Sequence, residues 1–211
     1  MIRAMANLTR SSDTPKEGEL SQYFESFNHA IGTAVEPGST FKLASLMSAM
    51  SEGGVQAGDE IDTGNGVTHF YGKRMSDSNA DQGGSGILNT TEIFEVSSNV
   101  GTALTIKKAF GEQPQIFLNA LKNIGVQAPC GVRLAGESNP MVYENVGDGR
   151  WSGLSLTQMS IGYEVTQTPL QTLTLYNAVA NGGKSLRPQL VERLENNGQV
   201  VKAFEPAVLN Q

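Results

Sequence analysis

The sequence predicts an α+β fold, with helices through the middle of the chain and an antiparallel sheet built from its two ends. Three observations carry that reading. The first residues alternate in the manner of a strand, the segments between about 39 and 181 show helical apolar patterning with clear start and stop signals, and a hairpin pattern closes the chain. With 211 residues the chain can bury a sizeable core without disulfide or metal staples. A net charge of -6 argues against a dedicated nucleic-acid binder. The longest weakly polar stretches, such as Phe41 to Met50, fall short of the roughly 18 to 20 residues a bilayer crossing needs, and no basic, then apolar, targeting segment opens the chain. The lone cysteine, Cys130, reads as a small buried side chain.

Met1 to Leu8 alternates loosely like a strand with neither partner nor cap before it, as though a sheet were entered partway. The polar stretch Thr9 to Leu20 reads as a surface loop. Glu36-Pro37-Gly38-Ser39 is a turn feeding a helix through Met50 that has scarcely a polar face, with Lys42 as its only charge. Residues 53–86, rich in Gly and Asp, read as a loop-and-hairpin excursion on the surface, with a strand-like piece at Val67 to Tyr71. Asn89 with Glu92 predicts a capping box for a short helix to Val96. A second helix from about Val100 ends in Lys107-Lys108, which suit the helix dipole, with Gly111 just beyond. Thr168-Pro169-Leu170-Gln171 combines an N-cap Thr, Pro at the first helical position and Gln at the third, and Asn181-Gly182-Gly183 stops the helix it starts. Gln189 to Leu194 and Gln199 to Phe204 flank Asn196-Asn197-Gly198, whose Asn-Gly suits a tight positive-φ turn.

Two histidines, His29 and His69, without Cys-x-x-Cys, His-Glu-x-x-His or an acidic calcium loop, speak against a metal site and against a Ser-His-Asp triad. No cofactor is expected. Gly183-Lys184-Ser185 imitates the tail of a phosphate loop, but Ala178 stands where the earlier glycine belongs and the segment follows a helix. Ser39-Thr40-Phe41-Lys42 supplies a mechanism instead. A serine entering a helix with a lysine one turn later puts both on one face. Desolvation by Phe41, Leu43, Leu46 and Met47, opposed by no carboxylate in the same helix, lowers the lysine pKa, and its neutral form can take the serine proton. Backbone N–H groups of the first turn are available to a developing oxyanion. No other lysine of the chain has a serine three residues before it. Ser97-Ser98-Asn99, in the break between two helices, offers a second hydroxyl and an amide; plain helix capping is the competing reading.

Glu36 to Lys42 followed by Ser97-Ser98-Asn99-Val100-Gly101 resembles the first two active-site motifs of the penicillin-binding proteins, specifically the transpeptidase domain of the class B, monofunctional type. Cys130 to Glu137, Ser160 to Tyr163, Thr168 to Tyr176 and Ala180 to Gly183 are similar to later segments of that family, so the resemblance runs from about Ile2 to Pro206. It implies a penicillin-binding/β-lactamase-like fold and a serine D,D-transpeptidase of peptidoglycan synthesis in the cell wall and cell division. Ser39 would be the acylated nucleophile, Lys42 its base, Ser97 the proton relay and Asn99 the contact to the substrate amide. Peptidoglycan stem peptides and β-lactams are the implied partners, with a membrane anchor and cell-wall synthesis partners at the periplasmic or extracytoplasmic face. A β-lactamase or β-lactam sensor, and a catalytically dead fragment of such a domain, are the alternatives. The family's Lys-Thr-Gly or Lys-Ser-Gly motif, its anchor and its accessory domain do not occur in this sequence. The expectation is therefore a partial transpeptidase domain over 1–211, ending before the third-motif strand and inactive on its own.

Overall fold

The computed structural model describes residues 8–10, 23–25 and 27–210. In chain order the elements are β1 (Leu8–Arg10), β2 (Tyr23–Glu25), α1 (His29–Gly32), a 3₁₀ turn (Gly38–Phe41) running into α2 (Lys42–Glu52), β3 (Glu60–Asp62), β4 (Val67–Phe70), β5 (Lys73–Ser76) and β6 (Ile87–Asn89). Then follow α3 (Thr90–Glu95), α4 (Asn99–Phe110), α5 (Pro114–Ile124), α6 (Ser155–Ser160), α7 (Pro169–Ala180), β7 (Ser185–Leu186), β8 (Arg193–Asn196), β9 (Gln199–Ala203) and β10 (Val208–Asn210). The mixture of helices and antiparallel ladders is the α+β class the sequence predicts. The chain forms two compact units.

One unit comprises Val35–Ala128 and Pro140–Gln167. Its α2 packs against α4 and α5, and α4 against α6. Phe41, Ala44, Ile93, Val100, Ile106, Phe110, Phe117 and Leu121 lie at or below 1% exposure, a dry core formed where the apolar stripes of these helices face one another. Gly53, just past α2, permits close packing there, since a Cβ on it would stand 2.7 Å from the Ala109 Cβ. Asn89 and Thr168 both form the expected capping boxes, with Glu92 and Gln171 reaching back to the cap. α5 lies outside the helices read from the sequence, although Pro114 at its first turn and Gly125 at φ 90° after its last are ordinary boundary signals.

Three sequence expectations are corrected in this unit. The helix carrying Lys42 runs on to Glu52, so Lys42 is not its only charge. Nor is that helix buried all round: Met50 is exposed. The 53–86 excursion does contain the hairpin, β4 with β5, and a second ladder, β3 with β6. Its inner side is core, however: Phe70 and Met75 pack with Ala103 and Ile161, and Thr63 and Asp77 are buried. Alternation in a hairpin four residues long places only two side chains inward, too short a signal to separate a half-buried ribbon from a surface one.

The other unit comprises the described residues before Val35, Pro129–Asn139 and the described residues from Thr168 on. Ile31, Cys130, Val132 and Leu170 form its small core, where α1 packs on α7. Cys130 is the buried side chain expected; its thiol donates to the Glu137 carboxylate and burial pushes its pKa up to about 12, which leaves it unreactive. The closing hairpin turns at Asn197 (φ 49°) and Gly198 (φ 77°), with β8 beginning at Arg193, four residues later than the sequence pattern suggests. The expected single terminal sheet is not seen: among the described residues β1–β2, β7–β10 and β8–β9 are separate two-stranded ladders. Of the predicted opening strand, Met1 to Asn7 lie outside the described residues. Leu8 to Arg10 are strand, where Thr9 and Arg10 were expected in a loop, and 11–22 lie outside the described residues.

Candidate active site

The four residues singled out from the sequence all fall in the unit built on α2 and α4. Ser39 lies in the 3₁₀ turn and is exposed; among the described residues its hydroxyl and its amide have no hydrogen-bond partner. Its carbonyl accepts from the Lys42 N–H, which fixes the two residues one turn apart. The turn is held from below. The Gly38 N–H donates to the Gly162 carbonyl at 3.1 Å, and the Glu164 N–H donates to the Glu36 carboxylate at 2.9 Å. Gly162 has φ 85°, and a Cβ on it would stand 2.0 Å from the Gly38 carbonyl oxygen, so only glycine lets these backbones meet beneath the serine.

Lys42 is 1% exposed. Burial lowers its pKa to about 8, the Asp77 charge opposing the shift. The opposing carboxylate is thus supplied from beyond β5, not from the helix that carries Lys42. The ammonium does not point at Ser39 as its primary partner. Nζ donates to the Ser97 carbonyl at 2.6 Å and to the Ser97 Oγ at 3.0 Å. A neutral amine has two N–H donors and one lone pair. Ser97 accepts both donors, which leaves the lone pair as the amine's one remaining hydrogen-bonding function.

The α3–α4 break divides its labour. Ser98, buried, is the N-cap of α4: its Oγ accepts from the Gly101 N–H at 2.8 Å and donates to Asp77 Oδ2 at 2.8 Å. Capping therefore falls to the middle residue of the triplet, and Ser97 is free for Lys42. Ser97 sits at φ 56°, a left-handed conformation that costs a residue with a Cβ about 1–2 kcal/mol. Asn99 is half-buried and its Nδ2 donates to the Ser76 carbonyl at 2.9 Å; its second N–H and its Oδ1 have no described partner. Lys42 and Ser97 are thus brought together, Ser39 is one turn away in the 3₁₀ turn that runs into α2, and Asn99 opens α4 just after the break.

The sequence reading gives no site role to two residues of this neighbourhood. Asp77 is joined to Ser98 and Val100 across more than twenty positions, and no local pattern encodes that link. Gly162 meets Gly38 through a turn whose only signal is the glycine itself. A cavity of about 470 Å³ lies in the other unit, lined by Arg133, Arg187, Leu190, Leu194, Phe204 and Glu205 among others. Its lining holds no Ser, Cys, Lys or His, hence no nucleophile–base pair. Among the described residues no three or more His, Cys, Asp or Glu are placed to hold a metal ion.

Comparison with known proteins identifies the family. The chain is 31% identical over 194 residues to the penicillin-binding protein PbpB of Mycobacterium tuberculosis, covering 90% of this chain and 27% of that protein. It is 26% identical over 167 residues to the probable peptidoglycan D,D-transpeptidase FtsI of Caulobacter vibrioides, covering 79% and 26%. The chain thus spans about a quarter of the length of these curated relatives. Among solved structures, penicillin-binding protein 3 of Mycobacterium tuberculosis complexed with aztreonam superposes with a TM-score of 0.69 at 25% identity, covering 87% of this chain and 39% of that one. The transpeptidase domain of Burkholderia pseudomallei penicillin-binding protein 3 gives 0.66 at 23% identity, covering 76% and 45%, and shares the fold. The family model for the penicillin binding protein transpeptidase domain matches residues 2–211, and the chain belongs to that family.

Proposed function

We propose that the protein is a serine D,D-transpeptidase acting on D-alanyl-D-alanine stem peptides of peptidoglycan, and that β-lactams acylate the same serine. The observation that carries this is the buried Lys42, whose Nζ donates to both the carbonyl and the hydroxyl of Ser97, so that in the neutral amine the lone pair is left uncommitted.

Ser39 Oγ attacks the carbonyl carbon of the penultimate D-alanine as its proton passes to the Lys42 nitrogen. The carbonyl electrons collect on an oxyanion, toward which the Ser39 amide at the start of the helix is available to donate. On collapse the C–N bond to the terminal D-alanine breaks, and that nitrogen takes a proton from Ser97 Oγ, which is replenished from the Lys42 ammonium 3.0 Å away. The amine of a neighbouring strand then attacks the acyl-Ser39 ester, the new amide bond forms, and the serine oxygen recovers its proton along the same path. Asn99, half-buried beside Ser97, holds the substrate amide with the N–H that Ser76 does not use. In a β-lactam the strained ring amide is the bond that opens, and the leaving nitrogen remains tethered, which disfavours departure.

The relatives' names and the aztreonam and ampicillin complexes of the solved neighbours support this assignment. It places the protein at the periplasmic or extracytoplasmic face of the membrane, anchored there with cell-wall synthesis partners. Among the described residues no helix is long and apolar enough to cross a membrane. The test is mass spectrometry, after incubation with a penicillin, of the protein extended to the length of its curated relatives, because the chain alone is expected to be inactive. One drug mass on the peptide containing Ser39, absent in Ser39→Ala, is expected, and its slow loss separates a transpeptidase from a β-lactamase. An adduct elsewhere, or undiminished labelling of Ser39→Ala, would sink the assignment.

A further inference from the structure

We propose that Asp77 is a positioning residue for the Lys42–Ser97 pair: its carboxylate locks the α3–α4 break in the left-handed turn that presents the Ser97 carbonyl and hydroxyl to Lys42. The proposal rests on the transpeptidase reading above.

Three consecutive residues after Ser97 are each tied to Ser76, the last residue of β5, or to Asp77, the residue just past it. Ser98 Oγ donates to Asp77 Oδ2 at 2.8 Å, the Val100 N–H donates to Asp77 Oδ1 at 2.9 Å, and Asn99 Nδ2 donates to the Ser76 carbonyl at 2.9 Å. Asp77 is 8% exposed, so both carboxylate oxygens are spent inside the fold. Ordinary capping needs no such arrangement: Ser98 already caps the Gly101 N–H of α4 unaided. What the extra bonds hold is the residue before the cap. Ser97 at φ 56° is unfavourable for a side chain with a Cβ, and it persists only where surrounding bonds over-determine it. Released, Ser97 would relax to negative φ and turn its carbonyl away from Lys42 Nζ, 2.6 Å distant. An aspartate suits the post because both groups it meets are donors at a helix N-terminus, where negative charge is favourable. Asparagine keeps one acceptor oxygen but turns an NH₂ toward the second donor. Among the described residues Asp77 is also the charged group that acts on Lys42, opposing the effect of burial.

The experiment follows labelling of the intact protein by a fluorescent penicillin across pH, normalised to the folded fraction, for the wild type, Asp77→Asn, Asp77→Ala and Ser98→Ala. It is paired with an NMR titration of the Lys42 side chain in the wild type and Asp77→Asn. Asp77→Asn is expected to label roughly tenfold more slowly and Asp77→Ala about 100-fold, the scale of a small misplacement at a reacting centre. In Asp77→Asn the acid limb of the rate profile and the Lys42 titration both move to lower pH, because the opposing charge is gone. Ser98→Ala loses a cap and melts earlier but keeps the limb near its wild-type position, an outcome that a merely structural role for Asp77 would share. An Asp77→Asn protein with the wild-type rate per folded molecule, or with Lys42 titrating as in the wild type, overturns the proposal. Should Asp77→Ala fail to fold, Asp77→Asn decides. Should the wild type fail to label even when extended to the length of its curated relatives, the transpeptidase reading falls, and the Lys42 titration still decides whether Asp77 acts on Lys42.

Discussion

Among the described residues two hairpins are closed by the same device, a two-residue turn with both residues at positive φ: Tyr71-Gly72 between β4 and β5, and Asn197-Gly198 between β8 and β9. The second has the favoured turn sequence and is plain in the chain, yet its strands are exposed throughout. The first turns on a tyrosine, a poor left-handed residue, and buries Phe70 and Met75. From its last strand the chain passes into Ser76 and Asp77, which hold the break beside Lys42. Local turn chemistry therefore marks where a chain can reverse. What makes a reversal useful is where its inner side chains are buried and what its last residues can reach.

That contrast can be broken in two ways. Phe70→Ala removes a ring that is 3% exposed and should cost about 3–5 kcal/mol, with loss of penicillin labelling, whereas Val201→Ala, at 67% exposure on β9, should fall within about 0.5 kcal/mol of the wild type. Chemical denaturation of both variants measures this, and comparable losses would erase the distinction between a core hairpin and an exposed one. A smaller effect comes from the turns. Gly72→Ala and Gly198→Ala each force a Cβ into a left-handed position and should each cost about 1–2 kcal/mol. Only the first should also slow labelling per folded molecule, because only β5 runs on into Ser76 and Asp77. Slowed labelling in Gly198→Ala would sharpen the picture in the opposite direction, by showing that the closing hairpin matters to the site.

The same contrast explains what the sequence discloses. Ser39 and Lys42 are legible because their relation is local: one turn of helix and an apolar face are both visible in seven residues. The serine–serine–asparagine triplet is legible as a group, but which serine caps and which meets Lys42 is not, since the choice depends on a left-handed φ at Ser97 that no residue type announces. Asp77 is invisible because its partners lie twenty-one and twenty-three positions away, and an aspartate in a Gly- and Asp-rich stretch looks like any turn residue. α5 carried readable boundary signals in Pro114 and Gly125. The single terminal sheet expected from the chain ends is an inference about pairing between distant strands, and alternation within a strand does not specify its neighbour.

The central claim is that burial makes Lys42 a base for Ser39 and that Ser97 orients it. Its pKa, held down to about 8, lies below the ordinary lysine value of 10.5, so the folded state releases the proton first. Between those values the unfolded chain binds more protons than the folded one, and stability should rise as pH climbs through that window. The neutral fraction grows over the approach to pH 8, and the rate of acylation should grow with it. The direct measurement is the rate of Ser39 acylation by a penicillin as a function of pH, in the wild type and in Lys42→Arg. The account predicts a rate rising roughly tenfold per pH unit at low pH and levelling near 8, and an arginine variant slower by about 100- to 10,000-fold with no such rise. A profile flat from about pH 6 to about pH 10, or an arginine variant that acylates at the wild-type rate, would contradict it.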